Sequence, residues 1–363
     1  MNKIIFVAPT QGNGGIASWA ANYRKNIPQG YDLINVTVSK RRSQNVNASR
    51  IRRMVDGALD MIDVLWDVRR AIKVNPDAKI LHLTISGNPG TIRDSMILKI
   101  AKNHGLRCII HCHFGSVWSD VKLDDFWGRL LRETLSLGDQ IWVLDNKSLY
   151  ALDELEGTKG KVILNPNFID VPDFKLESNK TFKKVAFVGN LFPSKGIYDL
   201  VKAVSSISGE TELHIVGPGL PEVVKTIESI AGPSLNSRIM LYGRLPNEEA
   251  VKLIEGMDII ALPTYYHGEA FPISILEAMS RGKMVISCDI GAIRDMLTSV
   301  DGCPCGLIVK PQDPNDIIKS ILWCQDHLAE ANDMCEQAYR KVYDAYRTEI
   351  VIMKYTNCYN SLL

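Results

Sequence analysis

Glu269 and Glu277 stand seven residues apart in the stretch 266–289, the first in a loop with Gly268 and Pro272, the second inside a helical apolar pattern. An ionised carboxylate only accepts hydrogen bonds and can take two O–H donors at once, so two acids at fixed separation suit the hydroxyls of a sugar or a ribose. A solvated helix with incidental acids has the same spacing, and both readings stand on these two residues alone. Lys195, ahead of Gly196 and another helical pattern, is either a surface lysine or a full positive charge at a phosphate-facing helix start. His111 and His113 close a strand-like run and share one face of it. They could orient a ligand or be structural, and no third or fourth metal ligand is suggested nearby. Gly14 and Gly15 lie between a first strand and a helix start, where free backbone N–H groups can meet an anion. Their spacing is not the dinucleotide fingerprint, so no nicotinamide cofactor is implied.

These residues need elements to hold them. Ile273, Leu276, Ala278 and Met279 have helical spacing, Arg281 and Gly282 stop the helix, and 284–287 reads as a strand. Strand-like runs occupy 3–9, 32–38, 79–85, 106–113 and 140–144, and again 183–189, 212–219, 238–243, 257–264 and 306–313. Helical patterns between them predict an α/β fold of two doubly wound, Rossmann-like parallel sheets. A helix over 54–73 should present Val55, Leu59, Ile62, Leu65 and Trp66 on one face and Asp56, Asp60, Asp63 and Asp67 on an exposed one.

The 363 residues allow two ordinary domains, and 46% hydrophobic against 23% charged residues marks a globular chain. No apolar run reaches the roughly 18 residues of a membrane span, and the amino-terminal apolar run is too short for a signal peptide, so a cytoplasmic location is expected. The eight cysteines lack metal or disulfide spacing and read as reduced thiols. Net charge is only +1, but residues 1–164 hold 23 Lys and Arg against 16 Asp and Glu, and the remainder 19 against 25. Residues 39–53 carry six basic side chains and no acid. They form either a solvated loop or a contact for anionic lipid headgroups or a pyrophosphate-linked acceptor, worth roughly 1 kcal/mol per cation.

The stretch from Glu269 through Glu277 to Ile286 resembles the E-x7-E signature of the retaining, nucleotide-sugar-dependent glycosyltransferases of family 4, and further segments match that family in order. The resemblance implies a GT-B fold, with an acceptor-binding domain over 1–165, a donor-binding domain over 166–346, and last helices that return to the first domain, the final one over about 347–363. It implies that the two domains face each other across a cleft. Within it, Glu269 would hold the donor sugar and Glu277 the ribose, while backbone N–H groups of Phe271, Ile273 and Ser274 meet sugar and phosphates and Pro272 shapes the loop. Lys195 would hold the diphosphate, Gly14 and Gly15 would approach it, and His113 rather than His111 would lie beside the transferred sugar. Arg244 and Leu245 would meet the base. Asn190 stands where the family has arginine, one cation fewer at the leaving group, and Phe168 stands where the linker usually has glycine. The expected activity is transfer of a hexose or N-acetylhexosamine from a nucleotide-sugar donor, UDP-linked, to a hydroxyl acceptor that can be lipid-linked, in cell-envelope polysaccharide or glycolipid synthesis. No cofactor, nucleic-acid partner or metal is expected, since no D-x-D triplet occurs. Peripheral contact with the inner face of a membrane would run through 39–53. The competing readings are a catalytically idle nucleotide-sugar-binding scaffold, a nucleotide-sugar epimerase or a phosphorylase.

Overall fold

The computed structural model describes residues 1–10, 15–38, 49–171 and 178–363. They form two compact units, residues 1–167 with 349–363, and residues 168–348. Each is built on a six-stranded, all-parallel sheet between helices, the α/β class expected of a GT-B chain.

In the first unit the strands are β1 (Asn2–Ala8), β2 (Tyr31–Thr37), β3 (Ile80–Ile85), β4 (Arg107–Cys112), β5 (Gln140–Val143) and β6 (Val162–Leu164), in the order β2-β1-β3-β4-β5-β6. Parallel strands covered on both faces are largely apolar, and Ile4 to Ala8 and Ile80 to Ile85 are all buried, with His82 and Thr84 the polar members. The two faces differ in chemistry. One is aliphatic: Ile5, Val7, Leu81, Leu83, Ile110 and Val143 pack under helices Arg50–Val74, Thr91–Asn103 and Phe126–Ser136. The other is aromatic: Phe6, His82, His111 and Trp142 lie under Trp19 and Tyr23 of helix Gly15–Lys25 and under Tyr355 and Tyr359 of helix Thr348–Asn360.

That second face explains why the chain's last helix belongs to the first unit. Tyr359 Oη is hydrogen-bonded to Tyr23 Oη at 2.6 Å and to His82 Nδ1 at 2.7 Å. Tyr355 Oη donates to the Pro166 carbonyl, Tyr31 Oη to Asn360 Oδ1, and Gln140 Nε2 to the Cys358 carbonyl. A helix whose tyrosines each bury a ring and satisfy a hydroxyl cannot leave without orphaning several polar groups. The preceding helix, Leu328–Lys341, and the turn that follows it remain with the second unit, which corrects the expectation that both last helices return.

Helix Arg50–Val74 is longer than the 54–73 expected, with Ser49 Oγ accepting from the Arg52 N–H at its start. Of the face expected to pack, only Leu65 does. Val64, Leu65, Val68 and Ile72 are buried on the sheet, whereas Val55, Leu59, Ile62 and Trp66 are exposed and the four aspartates are half-buried.

In the second unit the strands are β7 (Lys184–Val188), β8 (Glu212–Val216), β9 (Ile239–Gly243), β10 (Ile259–Leu262), β11 (Met284–Ser287) and β12 (Leu307–Ile308). Their order, β12-β11-β10-β7-β8-β9, is the doubly wound one in which the winding reverses between β7 and β10. The connections after those two strands leave in opposite directions, so a crevice opens beyond their carboxyl ends, where open α/β sheets bind ligands.

Candidate functional site

Lys195 and Glu269 come from the two sides of that crevice. Lys195 ends a 3-10 turn, Pro193–Lys195, after β7; Glu269 lies in the loop after β10. Their side chains meet at 3.0 Å, Lys195 Nζ to Glu269 Oε2, and both are largely buried. Thr264 Oγ1 donates to the same carboxylate oxygen at 3.4 Å, a partner that sequence reasoning missed. Its only signal was its place just past the strand-ending Pro263.

The backbone makes this geometry obligatory. Gly196, between the 3-10 turn and helix Ile197–Ser206, has φ 75°, and a Cβ there would sit 2.1 Å from the Pro263 carbonyl oxygen. Only glycine permits the β7 loop to press so close to the end of β10, and a Tyr265 N–H bond to the Ser194 carbonyl at 2.8 Å ties the two together. On the other side, Gly291 at φ 54° lies against the backbone of Glu269 and Ala270, and the Ala292 N–H bonds the Ala270 carbonyl at 2.8 Å.

Glu277 sits in helix Ile273–Met279, which starts after Pro272. The helix is anchored by buried Ile275, Leu276, Ala278 and Met279, and Glu277 is buried with them, only 8% exposed. Its carboxylate makes no hydrogen bond among the described residues; the nearby Arg281 spends its Nη1 on the Glu277 carbonyl and the Ser280 hydroxyl. Burial pushes the carboxyl up to about 7, with Arg281 pulling weakly the other way. An acid kept this way lacks hydrogen-bond donors, and a ligand with two hydroxyls would supply them.

The other positions singled out in the second unit differ in burial. Asn190 is half-buried directly after β7. Phe271 and Pro272 are buried, the Phe271 ring edge-on to Tyr346 at 5.2 Å. Ile273 and Ser274 open the helix with the first-turn N–H groups that a helix cannot satisfy itself. Arg244 is exposed and Leu245 half-buried after β9, the edge strand two positions from β7.

In the first unit, His113 follows β4 at its carboxyl end, its N–H on the Ile85 carbonyl at 2.9 Å. Its ring packs on Trp19 at 4.4 Å and His111 at 4.1 Å, its Nε2 is buried with no partner among the described residues, and burial drives its pKa down to about 3. His113 is therefore a neutral imidazole at physiological pH. His111 is fully buried, with Nδ1 at 3.3 Å from His82 Nε2, and burial lowers its pKa as well. His82, which sequence reasoning left inside a strand, thus completes a chain from Tyr23 through Tyr359 to His111, and both its ring nitrogens are committed. His111 Nε2, like His113 Nε2, is buried with no partner among the described residues, and of the two histidines His113 is the one past the end of β4. Gly15 begins helix Gly15–Lys25 and is exposed; Gly14 lies outside the described residues, as do residues 39–48 of the basic segment. Among the described residues no three His, Cys, Asp or Glu side chains group as metal ligands would, and no helix is long and apolar enough to cross a membrane.

Comparison with known proteins bears on the second unit most directly. Residues 169–341 match the family model of glycosyl transferases group 1. An uncharacterized glycosyltransferase of Methanocaldococcus jannaschii is 28% identical over 171 residues, 46% of this chain and 40% of that protein. D-rhamnosyltransferase WbpZ of Pseudomonas aeruginosa is 29% identical over 162 residues, 44% of this chain and 41% of that protein. The matches thus span about two fifths of these relatives' own length. Among solved structures, Anabaena HepE in complex with UDP aligns with a TM-score of 0.74 at 14% identity, over 99% of this chain and 100% of that one. The apo form of the lipopolysaccharide outer core galactosyltransferase WaaB aligns at 0.69 and 17% identity, over 100% of both chains. At such identities the likeness is one of fold. The doubly wound sheet and the glutamate pair of the second unit thus fall within 169–341, the span that matches the glycosyl transferases group 1 model.

Proposed function

We propose that this chain is a retaining glycosyltransferase that moves a hexose or N-acetylhexosamine from a UDP-linked donor to a hydroxyl acceptor, in the synthesis of a cell-envelope polysaccharide or glycolipid. The observation that carries the reading is the Lys195–Glu269 pair at the switch point between β7 and β10. A nucleoside diphosphate sugar offers each partner a replacement: phosphate oxygens for Lys195, sugar hydroxyls for Glu269. Both side chains are already largely out of water, so the donor meets preorganised charges, and their reorientation costs little. Glu277 would take the ribose hydroxyls. N–H groups of Phe271, Ile273 and Ser274 would meet sugar and phosphate around Pro272, and the backbone of Arg244 and Leu245 would meet the base. Asn190 would offer the diphosphate a neutral side chain. From the first unit, Gly14 and Gly15 would approach the diphosphate, and His113, being neutral, would give the sugar a hydrogen bond without acting as a base.

In this reaction the bond from the anomeric carbon to the diphosphate oxygen breaks as the acceptor oxygen attacks from the same face. The departing oxygen takes the acceptor's proton, and Lys195 with the helix N–H groups stabilises the charge it leaves, without a divalent cation. The relatives' names point the same way, to a rhamnosyl and an O-antigen mannosyl transferase, and HepE is one of the neighbours that hold UDP.

Asn190 in place of a cation favours a second reading, an idle subunit that binds the donor without turning it over. Calorimetry against UDP-, GDP- and ADP-hexoses in EDTA, followed by a transfer assay with an extract-derived acceptor, separates the two. Glu269→Gln is expected to lower turnover more than affinity, and Glu277→Ala to weaken donor binding. Wild-type kinetics in both variants would remove the site assignment, and tight donor binding without transfer or donor hydrolysis would favour the idle reading.

A further inference from the structure

Helix Arg50–Val74 carries more apolar surface than its packing uses. A second stripe, Ile51, Val55, Leu59, Ile62 and Trp66, recurs every three or four residues beside the buried face, and all five are exposed, Ile51 to 76% and Trp66 to 67%. At 3.6 residues per turn these side chains share an arc about 80° wide. Exposed Arg69 and Lys73 continue the same arc, with Arg52 and Arg70 at its edge, and no acid falls on it. The helix's aspartates occupy the next arc and are half-buried, and Asp60, Asp63 and Asp67 are already engaged. Where the stripe ends, a cavity of about 640 Å3 opens between Trp66, Arg70 and Lys73 and a floor of Ile72, Ala78 and Leu106.

A second copy of the chain fits this face poorly. Both ends of the stripe are basic, so parallel and antiparallel self-pairing alike bring cations together. A bilayer of anionic lipid offers a boundary region for the apolar arc and phosphates for the cations beside it. We propose that the Ile51-to-Lys73 face of this helix rests on an anionic membrane surface, with Ile62 and Trp66 in the headgroup–acyl boundary and Arg69, Arg70 and Lys73 on lipid phosphates. The surface shares no residue with the proposed donor site, so its test is read without turnover and survives a failure of the proposed activity.

The test is co-sedimentation of the full chain with vesicles of phosphatidylglycerol and phosphatidylcholine, and with vesicles of phosphatidylcholine alone. The wild type should pellet with the anionic vesicles and be released by salt. The double variant Ile62→Glu/Trp66→Glu should bind at least about tenfold more weakly. The triple variant Arg69→Gln/Arg70→Gln/Lys73→Gln should lose roughly fivefold per cation and approach the binding seen with neutral vesicles. Donor affinity and thermal unfolding should be unchanged in the triple variant, which only trims exposed side chains. A wild type that stays in the supernatant with anionic vesicles, or variants that pellet as well as it does, would overturn the proposal. So would light scattering showing a wild-type dimer that the double variant converts to monomer while vesicle binding is unaffected.

Discussion

If Glu277 holds ribose hydroxyls, donor binding must be linked to the proton that burial has placed on it. The carboxyl is lifted from an ordinary 4.5 to about 7. At about 1.4 kcal/mol per pH unit, its ionised form is disfavoured in the empty protein by about 3 kcal/mol. Two hydroxyl donors reverse that preference, because they hydrogen-bond the ionised form. Above about pH 7 the site is already ionised and affinity should be flat. Below it a proton must leave for each ligand bound, and affinity should fall by up to about tenfold per pH unit.

The ligand for this measurement is a UDP-hexose, because its diphosphate has no ionisation near neutrality that would mimic the effect. Calorimetry from about pH 5.5 to about pH 8, in buffers of different ionisation enthalpy, counts the protons directly, and close to half a proton should be released at pH 7. Glu277→Gln should abolish the release and flatten the profile. It should bind about tenfold to a hundredfold more weakly at pH 8, the worth of charge-assisted over neutral hydrogen bonds. The same shift sets a stability signature of opposite sense. The folded-state pKa of this acid is raised, so the folded protein holds the proton more tightly than the unfolded chain between about pH 4.5 and about pH 7, and stability falls across that window. Without ligand, Glu277→Gln should therefore unfold at a higher temperature than the wild type at pH 8 and at a similar one at pH 4.5. A wild-type affinity that does not change with pH, or a variant that keeps the wild-type slope, would refute the assignment of Glu277 to the ribose.

The ion pair and the glycine beneath it make two further predictions. Lys195→Ala leaves Glu269 largely buried with only Thr264 as a donor among the described residues, so it should lower turnover by about a hundredfold or more, with Lys195→Arg recovering part of it; steady-state kinetics at saturating donor reads both, and an unimpaired alanine variant would exclude Lys195 from the leaving-group site. Gly196→Ala must relieve both a φ of 75° and a 2.1 Å approach to the Pro263 carbonyl. It should cost on the order of 3 kcal/mol in denaturant unfolding and separate the Lys195 loop from the end of β10, and a loss below about 1 kcal/mol would show that the loop shifts freely.

The sequence disclosed what is repeated along the chain and withheld what is made by distant contacts. Continuous apolar runs ending in glycine gave both sheets, because a parallel strand buried on two faces has no polar positions to lose. The E-x7-E spacing placed both acids on one loop and one short helix, as the structure has them, because local spacing survives folding. Two failures share a cause. Helix Arg50–Val74 was expected to pack through Val55, Leu59, Ile62, Leu65 and Trp66, and only Leu65 is buried, because periodicity reports that an arc is apolar, not which of two apolar arcs meets the sheet. His82 looked like any strand residue, and its place in the chain from Tyr23 to His111 depends on Tyr359, 277 residues away. Polar groups on that face must find partners once buried, and only the arrival of the last helix supplies them. The same rule separates the two kinds of buried polar group in this protein. Where the chain needs rigidity, as among Tyr23, Tyr359, His82 and His111, every hydroxyl and most ring nitrogens are matched. Glu277 is buried with a carboxylate that bonds nothing among the described residues, and His113 Nε2 is held out of water in the same way, as is His111 Nε2. In the proposed reading the ribose of a nucleotide sugar would bring the buried Glu277 carboxylate the hydroxyl donors it lacks.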